Sequence, residues 1–163
     1  MQKISRYIRK APFIHAFGIL ATAVLCFAFL YWLICFQLLG GNFDIIFVEE
    51  PYNSFTYREF VFMALVFAPL VETLIFQTGT YRLLRLLKWL RKRKYYIVVI
   101  SGVLFGATHF FSLVHIIIAT TLGFFFMYVY IVRFRKGGFW LVVLLHAFYN
   151  GILLLLSIVR YKN

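Results

Sequence analysis

Residues 55–81 read F-T-Y-R-E-F-V-F-M-A-L-V-F-A-P-L-V-E-T-L-I-F-Q-T-G-T-Y. From Phe60 onward the only charged side chain in this run is Glu72. A helix needs about 20 apolar residues to cross a bilayer, so the run is a membrane span with an acid inside it. Pro69, three residues before the acid, is expected to kink the helix. Ahead of the run, residues 43–59 are mixed and acidic, and Pro51-Tyr52-Asn53-Ser54 reads as a turn. Ser54 is the expected N-cap, with Thr56 as its competitor.

Working outward, four more apolar runs appear, at 12–39, 95–111, 113–132 and 138–159. The first follows a basic start but is too long for the apolar core of a signal peptide, and it reads as a retained span ended by Gly40-Gly41-Asn42. Between the second and third runs, Tyr81 to Lys94 sets bases at Arg82, Arg85 and Lys88 among leucines and Trp89. That pattern either extends the second span or lies along the membrane interface. The expected fold is an all-α polytopic helical bundle of about five spans, one membrane domain over residues 1–163. Composition agrees: 64% of residues are hydrophobic, only 13% are charged, and mean hydropathy is +0.90. A soluble domain would carry about 25% charged residues.

The net charge of +12 is unevenly spread. Asp44, Glu49, Glu50 and Glu59 share one segment, and Glu72 is the remaining acid. Bases cluster at the N-terminus, at 82–94 and at 133–136. In a soluble protein such blocks would suggest nucleic acid. Beside spans they are cytoplasmic topology signals and contacts for anionic lipid, so no nucleic-acid partner is expected. An inside N-terminus puts all three blocks in the cytoplasm and the acidic segment outside; Arg160 and Lys162 disagree mildly. Cys26 and Cys35, nine residues apart on one helix, point to opposite faces and read as apolar fillers rather than a disulfide.

Few strongly polar side chains remain within the spans: Glu72, Gln77, His109, His115, His146 and Asn150. Intramembrane ionisable groups are costly and usually mark a site. At about 1.5 Å of rise per residue, Glu72 lies roughly 15 Å inside Arg82, and His109 roughly 21 Å inside Tyr95. His146 and Asn150 lie roughly 12 Å and 18 Å inside Gly138. Three helices therefore deliver polar groups to a similar depth. Spacing puts His146 and Asn150 on one face, as it does Phe105 and His109. Purely structural readings stay open for each: an interhelical polar contact for Glu72 or His109, a clamp for His146 with Asn150. His115 and His15 are expected to be interfacial or structural.

Three motifs stand in order: Glu72-Thr73-Leu74-Ile75-Phe76-Gln77, Phe105-Gly106-Ala107-Thr108-His109 and His146-Ala147-Phe148-Tyr149-Asn150. They resemble the E-E-x-x-x-R, F-x-x-x-H and H-x-x-x-N/B motifs of the CPBP (Abi) family of CAAX-type prenyl endopeptidases and bacteriocin-processing proteins. The likeness covers roughly residues 56–155, which would be the catalytic core. Thr73 departs from the second Glu of that pattern and Gln77 from its Arg. Losing one member of such a pair would strand a charge, whereas losing both leaves two neutral hydrogen-bonding groups.

The resemblance implies glutamate-dependent peptide hydrolysis within the membrane. Catalytic roles would fall to Glu72, His109, His146 and Asn150, with Thr73, Gln77 and Phe105 supporting. Glu72 would take a proton from water that His109 orients, and His146 with Asn150 would donate to the oxyanion. No serine stands beside a candidate base, and no H-E-x-x-H motif is present. A metal-free mechanism is expected; the alternative is zinc or another divalent ion on Glu72, His109 and His146. Substrates would be membrane-associated or lipid-modified peptides, in a multi-pass protein of the bacterial inner membrane. Two other functions compete: a non-catalytic membrane binding or bacteriocin-immunity protein using the same pocket, and a small proton pathway, against which the lack of an internal repeat argues.

Overall fold

The structure, a computed structural model, describes residues 2–38, 56–110 and 112–161. Among these there is no β-strand. The acidic residues Asp44, Glu49 and Glu50, the turn at 51–54 and Ser54 lie outside the described residues.

Among the described residues, seven helices follow one another. They are α1 (Gln2–Lys10), α2 (Phe13–Leu38), α3 (Tyr57–Leu84), α4 (Lys88–Lys92), α5 (Lys94–Ala107), α6 (Leu113–Arg133) and α7 (Gly138–Tyr161). Four, α2, α3, α6 and α7, are long and apolar enough to cross a bilayer. The fold is an all-α membrane bundle and the protein an integral membrane protein. The span expected at 95–111, the third in chain order, is shorter than that run suggests. Its helix has 14 residues, about 21 Å of rise against a hydrocarbon core of about 30 Å. Local hydrogen bonding ends it early. The Thr108 hydroxyl donates to Phe105 O at 2.7 Å, and His109 N–H bonds Gly106 O at 2.9 Å, tightening the last turn. Four residues on, Ser112 restarts the chain as N-cap of α6, accepting from His115 N–H at 3.2 Å.

Close packing of α5 on α6 depends on glycine. A Cβ at Gly123 would lie 2.8 Å from Gly102 Cα, and one at Gly106 would collide with Thr120 and sit 2.9 Å from Ile116 O. Glycines four apart, Gly102 and Gly106, thus let two backbones touch inside one chain. Around them the core is aliphatic and aromatic: Ile97, Phe126, Met127, Val129, Leu141 and Leu145 are fully buried.

Thr56, not the favoured Ser54, is the observed N-cap of α3. Its side chain and that of Glu59 form a reciprocal capping box, with Thr56 N–H bonding Glu59 Oε2 at 2.7 Å. The spacing Thr56-x-x-Glu59 carries that signal in the sequence. Two π-helical stretches interrupt α3, at Met63–Phe67 and Thr73–Gly79, flanking the α-helical turn Ala68–Glu72 that holds Pro69. Proline cannot donate to the carbonyl four residues back, and the wider turn absorbs the mismatch. Carbonyls loosened there are taken up by neighbouring helices. Asn150 Nδ2 of α7 donates to Ala64 O at 2.9 Å, and Ser101 Oγ of α5 donates to Phe76 O at 2.7 Å. Within a membrane no water would otherwise pair them.

The start of the basic segment extends the second span. Helix α3 runs on to Leu84, and after a turn the short helix α4 exposes Trp89 while burying Leu90. Arg133 was expected to be a topology charge, yet it is 3% exposed. Its guanidinium donates to Ile8 O at 3.0 Å and Ala11 O at 2.7 Å, closing the C-terminal end of α1. The N-terminal helix is thereby fixed to the same end of the bundle as the close of α6.

Candidate active site

Glu72 ends the α-helical turn between the two π stretches of α3. Its Oε2 lies 3.7 Å from His146 Nε2 on α7, just beyond hydrogen-bond length. Phe105 backs this pair. It is 1% exposed, with ring centroids 5.7 Å from His146, 4.7 Å from His109 and 5.4 Å from Phe76. Phe126 covers the other side of His146 at 5.1 Å. Aromatic walls hold the imidazole where a looser contact would let it turn.

His109 sits beyond the end of α5 rather than on it, so its depth and direction differ from those of a continuing helix. Its Nδ1 lies 2.8 Å from Phe105 O. A carbonyl only accepts, so Nδ1 carries the proton and Nε2 keeps a lone pair. A cavity of about 110 Å³ is lined by residues that include Tyr31, Phe105, His109, His115, His146 and Asn150. Glu72 does not line it and adjoins it through His146.

His115, expected to be interfacial or structural, lines the cavity as well, with its Nδ1 3.0 Å from Ser112 Oγ. The pattern Ser112-x-x-His115 at a helix start was available as the signal. Asn150 lines the cavity while one of its amide hydrogens braces Ala64 O of α3. Its second N–H remains for other use. Thr73 and Gln77 are buried on α3 at 0% and 1% exposure and do not line the cavity.

Among the described residues no three His, Cys, Asp or Glu side chains come close enough to hold an ion. Glu72, His109 and His146 therefore do not form a ligand set as they stand.

Comparison with known proteins gives one family. Residues 55–152 match the family described as Type II CAAX prenyl endopeptidase Rce1-like. No curated protein and no solved structure matches the chain. The matched segment takes in Glu72, His109, His146 and Asn150 and spans more than half of the sequence, so the chain belongs to the Rce1-like family of type II CAAX prenyl endopeptidases, a family of proteases.

Proposed function

We propose that this chain is an intramembrane endopeptidase that hydrolyses a membrane-associated or lipid-modified peptide with water activated by Glu72. The observation that carries the reading is the 3.7 Å approach of Glu72 to His146, from two helices, beside a cavity lined by His109 and Asn150. Glu72 takes one proton from water, and the water oxygen bonds to the scissile carbonyl carbon. The displaced electron pair moves to the carbonyl oxygen, where His146 and the second N–H of Asn150 donate. Collapse breaks the C–N bond, and Glu72 returns its proton to the leaving amine. His109, with Nε2 as acceptor, holds the other O–H of the attacking water.

The proposal includes an inside N-terminus in a bacterial inner membrane. The bond from Arg133 to the α1 carbonyls supports one side for two of the basic blocks. A second reading, a non-catalytic pocket for a membrane partner or bacteriocin, draws on the bracing role of Asn150.

Purified protein in lipid vesicles, incubated with a peptide library, separates the two. Cleavage by the wild type that is lost in both Glu72→Gln and His109→Ala supports the peptidase. Equal cleavage by all three sinks it, and biological rescue by Glu72→Gln favours the binding role.

A further inference from the structure

The cavity beside the Glu72–His146 pair has a direction. Helix α6 lines it with His115, Ile118, Ala119 and Leu122, at the i, i+3, i+4, i+7 spacing of one helical face. Helix α7, joined to α6 antiparallel by the short turn 134–137, lines it with His146, Asn150 and Leu153. Burial grades along both faces. Ala119, Leu122 and His146 are each 5% exposed, whereas His115, Ile118, Asn150 and Leu153 are half-buried. Phe126, fully buried, packs on His146 at 5.1 Å and closes the deep end. His115 lies about three turns from Phe126, about 16 Å along α6. The cavity therefore opens beside the turn between α5 and α6, where Phe110 and Leu113 are exposed, and is closed toward Arg133.

The basic blocks gather at the other end. Arg133 holds α1 there. Tyr81, which precedes Arg82, packs on Tyr130 and Phe134 at 5.5 Å and 4.9 Å. Helix α5 runs antiparallel to α6, with Gly102 against Gly123 and Gly106 against Thr120. Lys94 therefore starts α5 at the Arg133 end, and His109 follows its close near the opening. Helix α6 has 21 residues, about 31 Å of rise, so its two ends reach opposite faces of a bilayer.

We infer that water and substrate reach the site from the membrane face opposite the basic blocks, through the opening beside His115. The substrate class narrows to peptide segments lying at that face, which is the non-cytoplasmic one under the inside N-terminus proposed above. The exposed apolar rim of Phe110 and Leu113 suits a substrate seated in the membrane surface. The substrate half rests on the hydrolytic reading; the position of the opening does not.

The test starts from a chain with Cys26→Ala and Cys35→Ala, so that single introduced cysteines report alone. His115→Cys and Lys92→Cys in sealed vesicles meet a membrane-impermeant thiol reagent on one side at a time. The two are expected to react from opposite sides. Reaction from the same side, or no reaction of His115→Cys from either side, overturns the opening. Wild type in vesicles of one orientation should cleave an impermeant library peptide supplied on the His115 side. Cleavage of peptide supplied on the Lys92 side overturns the route. A bulky adduct on His115→Cys should lower its turnover at least tenfold, and unchanged turnover counts equally against the route. Should no peptide be cleaved, or should Glu72→Gln cleave as well as wild type, the peptidase reading fails while the labelling still decides where the cavity opens.

Discussion

Gly123→Ala tests whether backbone contact between α5 and α6 sets the active geometry. The added Cβ would lie 2.8 Å from Gly102 Cα and 3.0 Å from Phe105 Cβ. Carbon atoms rest at about 3.5–4.0 Å, so the helices must part by roughly 1 Å. Overpacking of this kind costs about 1–3 kcal/mol, and both contacts here are with backbone or a Cβ, which cannot swing aside. His109 hangs from the end of α5, and Phe105 walls His146, so the same displacement misplaces two site residues. A 1 Å error at a reacting centre is worth about 10²-fold in rate. The assay is thermal unfolding in detergent alongside peptide turnover, with Gly18→Ala as control. An added Cβ at Gly18 meets nothing within 4 Å, so that variant should hold its stability or gain up to about 1 kcal/mol from helix propensity. Gly123→Ala indistinguishable from Gly18→Ala in both measurements would refute the argument.

Other consequences are as direct. Arg133→Met removes two charge-assisted bonds, to Ile8 O in α1 and to Ala11 O just past its end, each worth about 1.5–3 kcal/mol, and should make the N-terminal helix accessible to added protease while the rest of the bundle resists. Asn150→Ala frees Ala64 O inside the membrane and should lower stability by about 1–3 kcal/mol as well as slowing cleavage; Ser101→Ala, which frees Phe76 O, should lower stability alone. A chelator should leave turnover unchanged, because the site residues do not converge as metal ligands.

Helical class and polar inventory were legible in the sequence because hydropathy and helical rise are local properties. Glu72 stood out as the one acid in its run, and the depth count brought it near His146, which it approaches in space. What the sequence hid depends on hydrogen bonds that interrupt the period. The 17-residue, largely apolar run 95–111 predicts a span, but the Thr108 hydroxyl ends its helix early, Ser112 caps the next, and His109 and His115 come to line one cavity. Proline at 69 announces irregularity without saying that it takes the form of π turns, braced from two other helices. Arg133 looked like its neighbours Arg135 and Lys136; only tertiary contact tells a buried cap from a surface charge.

The central claim is that Glu72 is the base of a hydrolytic site. Its most direct test is the turnover of one cleaved peptide by wild type and Glu72→Gln in the same vesicles, with matched thermal stability. The account predicts a loss of about 10²–10⁴-fold in kcat, the usual contribution of a positioned general base. Turnover within threefold of wild type would contradict it.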